Sequence, residues 1–304
     1  VIVAVLNGQG GFYEAVMNLA EIESDVPLTM GQKGVFASFF GPDLPNLIGV
    51  VILTSLGTWG LPQMVHKFYA IKDEKSIKSG TIISTFFAIV VSGGCYFLGG
   101  FGRLYDTPAI YSESGKIVYD AIIPAMLSTL PDILVGVVVV LVLSASMSTL
   151  SSLVLTSSST LTLDLLKDNI IKDMNEKKQL LIMRIMLVFF IVVSVVIALD
   201  PPTFIAQLMG ISWGALAGAF LAPFLYGLYW KGVTKAAVWA SFICGVLLTL
   251  SNMFLKFIAS PINAGAIAMI AGLIIVPVVS LITPKMDKKK LDSIFSCLDE
   301  TVTV

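Results

Sequence analysis

The stretch from Ser144 to Thr162 carries an unusual density of hydroxyl side chains. Twelve of its 19 residues are serine or threonine, and no charged residue occurs from Ile133 to Leu163. A membrane-spanning helix normally uses Leu, Ile and Val at such positions, so a dozen hydroxyls raise the free energy of insertion. Hydroxyl and carbonyl oxygens are the ligands that small hard cations prefer. The composition therefore predicts a sodium-type site, with close helix packing as the alternative.

Helical periodicity narrows this region to one face. At 3.6 residues per turn, six residues share that face: Ala145, Ser148, Thr149, Ser152, Thr156 and Ser159. The backbone carbonyl of Ala145 and the hydroxyls of Ser148 and Thr149 could meet at one cation. Three oxygens are too few for sodium, so a second helix has to supply the rest. In the alternative, the small residues pack tightly and each hydroxyl bonds to the carbonyl four residues back.

A second candidate site lies in the first long apolar segment, where Gly57, Gly60 and Pro62 fall within six residues. Proline removes a helical hydrogen bond, and the glycines let the backbone unwind. Transporters use such broken helices at the bilayer midplane, although a plain proline kink explains the same residues. Near the break, Trp59 and Gln63 could face a substrate, and Trp59 could equally face lipid or the core.

A stripe of glycines at intervals of four, Gly210, Gly214 and Gly218, predicts a helix–helix interface. The outer half of the same segment carries Gln207, Ser212 and Trp213. We interpret these three residues as structural first and substrate-lining second.

The whole chain is strongly apolar. Of its 304 residues, 56% are hydrophobic and 13% are charged, and the mean hydropathy is +0.91. Soluble domains are nearer a quarter charged, so we expect an all-α polytopic membrane protein in contact with the lipid bilayer. The net charge of -1 provides no basic face for nucleic acid. No charged residue lies deep in an apolar segment, which argues against a proton relay and against an enzyme, and we expect no organic cofactor.

Seven segments are long enough to cross the hydrocarbon core, which takes about 20 residues. They are approximately 46–69, 80–101, 132–162, 179–199, 203–229, 236–257 and 263–283. If the loop after the first segment faces the cytoplasm, 15 of the 19 Lys and Arg residues lie inside and four outside. This orientation predicts a multi-pass protein of the plasma (inner) membrane with a short cytoplasmic tail, 285–304.

Three motifs, in the order and spacing of a known family, cover most of the chain. They are the hydroxyl segment A-S-M-S-T-L-S-S-L-V-L-T-S-S-S-T-L-T-L-D-L-L-K (145–167), the glycine–proline segment G-T-W-G-L-P-Q-M-V-H-K-F-Y-A (57–70) and the segment P-F-L-Y-G-L-Y-W-K-G-V-T-K (223–235). The first resembles the signature helix of the sodium:solute symporters, in their proline and pantothenate branch. The second resembles the broken helix of that family, and the third is similar to its P-x-x-L-G-L-F-W-K-R-x-T-K segment.

This resemblance implies the second half of a LeuT-type inverted-repeat fold, with core helices 6–10 and two peripheral helices within residues 1–284. In this family, sodium is held by one carbonyl and two hydroxyls of core helix 8 and by carbonyls of core helix 1. Carried over to this chain, the core helix 8 ligands are Ala145, Ser148 and Thr149. Substrate binds between the broken helices, and the candidate contacts here are Thr58, Trp59, Pro62, Gln63 and Gln207.

The resemblance also implies that part of the protein is absent. By this mapping the short apolar stub 1–6 ends core helix 5, so we expect a C-terminal fragment whose partner is the missing N-terminal half, core helices 1–5. Leu163 and Leu166 replace the Glu and Tyr that the family often has around Asp164, so no inner-gate role is assigned there. Ala237 and Ser241 replace two of its usual glycines, which affects packing more than transport.

The predicted function is sodium-coupled symport of a small organic solute, for example an amino acid such as proline, by alternating access. Sodium is the coupling ion in this prediction. One alternative is a membrane sensor or scaffold that keeps the fold without transport. A channel is a third alternative, but it needs polar stripes on several helices, and a single helix of this chain has one.

Overall fold

The computed structural model describes residues 1–68, 71–171 and 174–299. The last residue of the first predicted span and the final five residues of the predicted tail therefore lie outside the described residues. Apart from an isolated antiparallel bridge between Tyr111 and Ile117, regular structure in the described ranges is helical.

The α-helices of these ranges are α1 (Ile2–Gly8), α2 (Phe12–Glu21), α3 (Leu44–Gly60), α4 (Pro62–Phe68), α5 (Glu74–Gly100), α6 (Tyr119–Leu127), α7 (Asp132–Ser159), α8 (Glu176–Leu199), α9 (Ile205–Tyr229), α10 (Lys235–Leu255), α11 (Pro261–Ile282) and α12 (Lys288–Asp299). Six helical segments of the described chain are long and apolar enough to cross a membrane, and they overlap the last six predicted spans. This confirms the prediction of an all-α polytopic membrane protein. The first predicted span is divided between α3, with 17 residues, and α4, with seven.

The chain forms two compact units, of which the first comprises Val1–Leu19 and Phe86–Phe204. Its core buries Val5, Tyr105 and Met126 together, and the Tyr105 hydroxyl donates to the Val5 carbonyl at 3.3 Å. Helix α7 packs along α8, and both helices expose many apolar side chains. In a membrane protein, such faces are covered by lipid or by further helices.

The second unit comprises the described parts of Ala20–Thr85 and Ile205–Val304. Helices α9, α10 and α11 pack against one another, and α3 lies against α9 and α11. Leu53 of α3, Leu221 of α9 and Met269 of α11 are buried at the centre of this cluster.

Polar side chains fix both ends of α10. Thr234 accepts from the Ala237 backbone N–H at 3.3 Å and donates its own N–H to Ser280 Oγ at 3.2 Å. At the other end, the Asn252 side chain donates to the Ile258 carbonyl at 3.1 Å and accepts from the Ile258 N–H at 2.7 Å. Because hydrocarbon offers no hydrogen-bond partner, such clamps satisfy backbone groups that the helices leave free.

The glycine stripe of α9 forms the helix–helix interface that the sequence predicted. A Cβ atom added to Gly214 would collide with the backbone of Gly265 on α11, and one added to Gly218 would lie 3.4 Å from Cα of Gly245 on α10. A Cβ on Gly245 would in turn strike the backbone of Gly218. The three helices therefore approach closely because glycines face one another across their interfaces.

We expect Gly245→Ala to lower the free energy of unfolding by about 1–3 kcal/mol, because the added methyl group meets backbone that cannot turn aside. The measurement is unfolding of the purified chain in mixed micelles, followed by circular dichroism. Gly227→Ala is the matched control, because Gly227 lies on α9 and a Cβ there meets open space. Equal stability of the two variants would contradict the close packing of α9 with α10.

Candidate sodium site and broken helix

Helix α7 presents the hydroxyl-rich region on a continuous α-helix. The predicted sodium ligands Ala145, Ser148 and Thr149 lie in its second half, and every residue from Leu141 to Leu153 is exposed. At helical spacing these three residues share one face. Immediately after Ser159 the helix continues as a π-helix, Thr160–Ile170.

Several hydroxyls of α7 are already used within the helix. In the described structure, five side chains donate to a carbonyl three or four residues back at 2.7–3.0 Å: Ser151, Ser152, Thr156, Ser158 and Ser159. These bonds satisfy the hydroxyls without a ligand. Three of these five bonds reach the carbonyl four residues back, which is the arrangement that the alternative hypothesis describes.

Ser148 and Thr149 differ from these five residues, as do Ser144, Ser146 and Ser157. Within the described part of the chain, their hydroxyls make no bond of this kind. Their oxygens are therefore available to an outside partner, as the sodium prediction requires. The predicted helical face therefore contains two kinds of hydroxyl. Those of Ser152, Thr156 and Ser159 are hydrogen-bonded within the helix, whereas those of Ser148 and Thr149 are not.

Thr162 lies on the π-helix and is not among the residues that the sequence predicted to form a site. Its side chain is fully buried, and its hydroxyl has no hydrogen-bond partner among the described residues. Short π-helical segments often occur at functional sites. The only signal in the sequence was its place at the end of the hydroxyl run, because a π-helix changes which residues share a face.

The glycine–proline segment is a true break. Helix α3 ends at Gly60, Leu61 is extended with φ -83 and ψ 120, and α4 begins at Pro62. Proline has no N–H, so the carbonyl of Thr58 cannot receive its usual helical bond from residue 62. The N–H of Met64 donates to the Leu61 carbonyl at 2.9 Å rather than to Gly60. Backbone acceptors at Thr58 and Gly60 thus lose their ordinary partners, and the break is more than a kink.

Close packing holds this break against its neighbours. A Cβ on Gly57 would lie 3.2 Å from Cε3 of Trp213, and one on Gly60 would lie 2.7 Å from Cα of Ala217. The two glycines therefore let α3 approach α9. Trp213, which the sequence predicted to be structural first and substrate-lining second, therefore lies beside the break.

The predicted substrate contacts separate into two groups. Thr58, Trp59, Pro62 and Gln63 all lie at the break, and the Trp59 side chain is 59% exposed. Gln207 lies ten residues before Ala217 on α9, which places it about 15 Å along the helix from the level of Gly60. The structure therefore brings the first four residues together and does not bring Gln207 to them.

The electrostatics of these sites are set by neutral groups. In the described residues, no cluster of His, Cys, Asp and Glu could hold a metal ion. A cation bound at α7 would therefore be held by hydroxyl and carbonyl oxygens.

Beyond α4, outside the spans, Asp73 accepts from the Ser76 backbone N–H at 2.7 Å. Hydrogen bonds from the Ser76 side chain and backbone lower the pKa of that carboxyl.

Comparison with known proteins decides the family. A model of the sodium:solute symporter family matches residues 1–245 of this chain. The chain belongs to the sodium:solute symporter family. The match includes the whole hydroxyl-rich helix and the whole break, and it confirms the resemblance drawn from the three motifs.

Three relatives within this comparison are named as transporters rather than enzymes. The sodium/pantothenate symporter of Haemophilus influenzae is 29% identical over 249 residues, covering 81% of this chain and 48% of that protein. The osmoregulated proline transporter OpuE of Bacillus subtilis is 28% identical over 247 residues, covering 77% and 47%. A sodium/proline symporter of Staphylococcus aureus is 26% identical over 261 residues, covering 80% and 49%. The chain thus spans about half the length of the curated relatives it matches, and this symporter family contains transporters of different solutes.

Proposed function

We propose that this chain takes part in sodium-coupled symport of a small organic solute. Na+ would be held by the Ala145 carbonyl and the Ser148 and Thr149 hydroxyls. The observation that carries this assignment is that, on the helical face these residues share, the hydroxyls of Ser152, Thr156 and Ser159 are bonded to their own helix, whereas those of Ser148 and Thr149 are not. Hydroxyls left free in a membrane helix favour a ligand, because hydrocarbon cannot satisfy them.

We propose that a further segment completes the sodium site. Three oxygens on one helix do not fill the coordination shell of a hard cation. The face that bears Ser148 and Thr149 is exposed in this chain, so it has room for a partner helix. The missing ligands would come from carbonyls of core helix 1, supplied by a segment with core helices 1–5. This chain would then correspond to the second half of the transporter.

We propose that the solute binds at the break between α3 and α4. The carbonyls of Thr58 and Gly60 are acceptors without their usual donors, and the exposed Trp59 ring provides an apolar surface beside them. A small solute with an N–H or ammonium group and an apolar body fits these features. An amino acid such as proline has this chemistry, and two of the relatives named above are proline transporters.

The proposed mechanism is alternating access. Sodium at α7 would stabilise the outward-open state and so favour solute binding, because a ligand shifts an equilibrium by its preference for one state. Movement of one helix bundle against the other would then release both on the inner side. In this proposal, residues 1–284 form seven spans in the plasma membrane, and the tail 285–304 is cytoplasmic.

We expect Ser148→Ala and Thr149→Ala each to raise the half-saturating sodium concentration for solute uptake about tenfold or more, because each removes one cation ligand. The measurement is sodium-dependent uptake of radiolabelled solute into vesicles. These vesicles contain the proposed complete transporter, in which this chain follows the first half.

Two controls separate ligand loss from damage to the helix. Ser151→Ala removes a hydroxyl that is bonded to the Met147 carbonyl, so the sodium dependence should not change. Thr149→Ser keeps the oxygen and should behave like the unaltered protein. Sodium dependence that survives both Ser148→Ala and Thr149→Ala would rule out this site.

We expect Trp59→Ala to raise the KM for solute about tenfold, through loss of an aromatic contact, with little effect on the sodium requirement. Initial uptake rates over a range of solute concentrations measure this. Trp239→Ala is the matched control, because Trp239 is similarly exposed, 55% against 59%, and lies on α10 away from the break. An unchanged KM in Trp59→Ala would remove Trp59 from the solute site.

A further inference from the structure

The C-terminal helix α12 follows the last long apolar helix closely. Helix α11 ends at Ile282, and α12 begins at Lys288. The five residues between them, fully extended, span at most about 18 Å. Helix α12 therefore starts near the end of α11, where that helix leaves the membrane.

Exposed aromatic residues near α12 indicate where this helix lies relative to the membrane surface. Tyr229 and Trp239, near the ends of α9 and α10 on this side, are 79% and 55% exposed, and exposed Tyr and Trp side chains favour the membrane–water interface. Lys231 lies two residues beyond Tyr229, and its Nζ atom is 5.4 Å from the centre of the Phe295 ring on α12. This contact joins α12 to the end of α9 that the aromatic residues assign to the membrane–water interface.

Helix α12 has an apolar stripe that the protein covers only in part. Leu291, Ile294 and Phe295 follow the i, i+3, i+4 spacing of one helical face. Phe295 is buried, whereas Ile294 is 54% exposed. A helix at an interface with a half-covered apolar stripe has the form of one that lies in the plane of the membrane surface.

Lysines surround this stripe without acidic partners. Six exposed lysines lie at this end of the unit: Lys231, Lys235, Lys285, Lys288, Lys289 and Lys290. Among the described residues, none of the six forms an ion pair. Asp287 accepts from the Lys289 backbone N–H at 3.3 Å and so serves the first turn of α12. Asp292 lies one helical turn after Lys288 and Lys289 and forms no ion pair with them in the described structure, and Asp299 lies at the end of the helix.

We propose that α12, with the adjoining ends of α9, α10 and α11, forms a binding surface for the head groups of anionic phospholipids. The lysines would contact the phosphates, and Ile294 would insert among the acyl chains. Clusters of four or more lysines beside a membrane helix bind anionic lipid in this way. Phosphate is the shared chemistry of lipid head groups and free phosphate, and the half-covered apolar stripe favours the lipid. The proposal does not depend on transport.

Lipid-specific quenching tests this surface in the full chain. Cys95, Cys244 and Cys297 are replaced by alanine, Ile294→Cys is labelled with an environment-sensitive fluorophore, and the protein is reconstituted into phosphatidylcholine vesicles. A spin-labelled quencher is then added either as phosphatidylglycerol or as phosphatidylcholine, at equal mole fraction. We expect about twofold stronger quenching by the anionic lipid, because three or more lysines attract it.

Charge-matched variants decide the source of this preference. Lys288→Gln, Lys289→Gln and Lys290→Gln together should equalise the two quenchers. Lys72→Gln, Lys75→Gln and Lys78→Gln, which remove the same charge from exposed positions before and within α5, should leave the preference unchanged. Equal quenching in the labelled parent, or a preference that persists without Lys288–Lys290, would overturn the proposal. Loss of the preference in sodium phosphate but not in sodium chloride of equal ionic strength would assign the surface to free phosphate instead.

Discussion

Hydrocarbon offers no hydrogen-bond partner, and this constraint organises the functional features of the chain. In the described structure, five of the ten hydroxyls of α7 meet it by bonding to their own helix, as Ser151 does with the Met147 carbonyl at 2.7 Å. Ser148 and Thr149 do not, and neither does the carbonyl of Thr58 at the break, which faces a proline. Polar groups left unsatisfied in a membrane segment are costly unless a ligand or another helix meets them. The candidate ion and solute positions are therefore those where polar groups lack their usual hydrogen-bond partner within the helix.

The helices of the second unit, in contrast, are closely packed against one another. Glycines of α9 meet glycines of α10 and α11, and Gly60 brings the end of α3 against Ala217. Such contacts exclude both lipid and water, so these helices can form a rigid support. A break in α3 is tolerated because α9 and α11 hold the chain on the side of Gly57 and Gly60. The exposed Trp59 at the same break provides a surface that the support does not cover.

The sequence predicted the elements better than the contacts between them. Helical spacing placed Ala145, Ser148 and Thr149 on one face, and the structure retains that arrangement. The spacing alone could not separate the free hydroxyls from the hydrogen-bonded ones, because hydrogen bonding depends on the side-chain rotamer. Gly57, Gly60 and Pro62 left a kink and a break equally open, and the extended backbone of Leu61 decides for the break. The partner glycines Gly245 and Gly265 gave no signal, because pairing across helices is a tertiary property. The lysine-rich tail was predicted only as a tail, since the contact of Lys231 with Phe295 joins residues far apart in sequence.

The central claim is that Ser148 and Thr149 are sodium ligands, and equilibrium binding of radioactive sodium tests it most directly. The purified protein that unites this chain with the proposed first half would be titrated with 22Na+ in detergent, without solute. The account predicts saturable binding that the double substitution Ser148→Ala, Thr149→Ala abolishes and that Ser151→Ala leaves intact. Saturable binding of the same affinity in the double variant would contradict it.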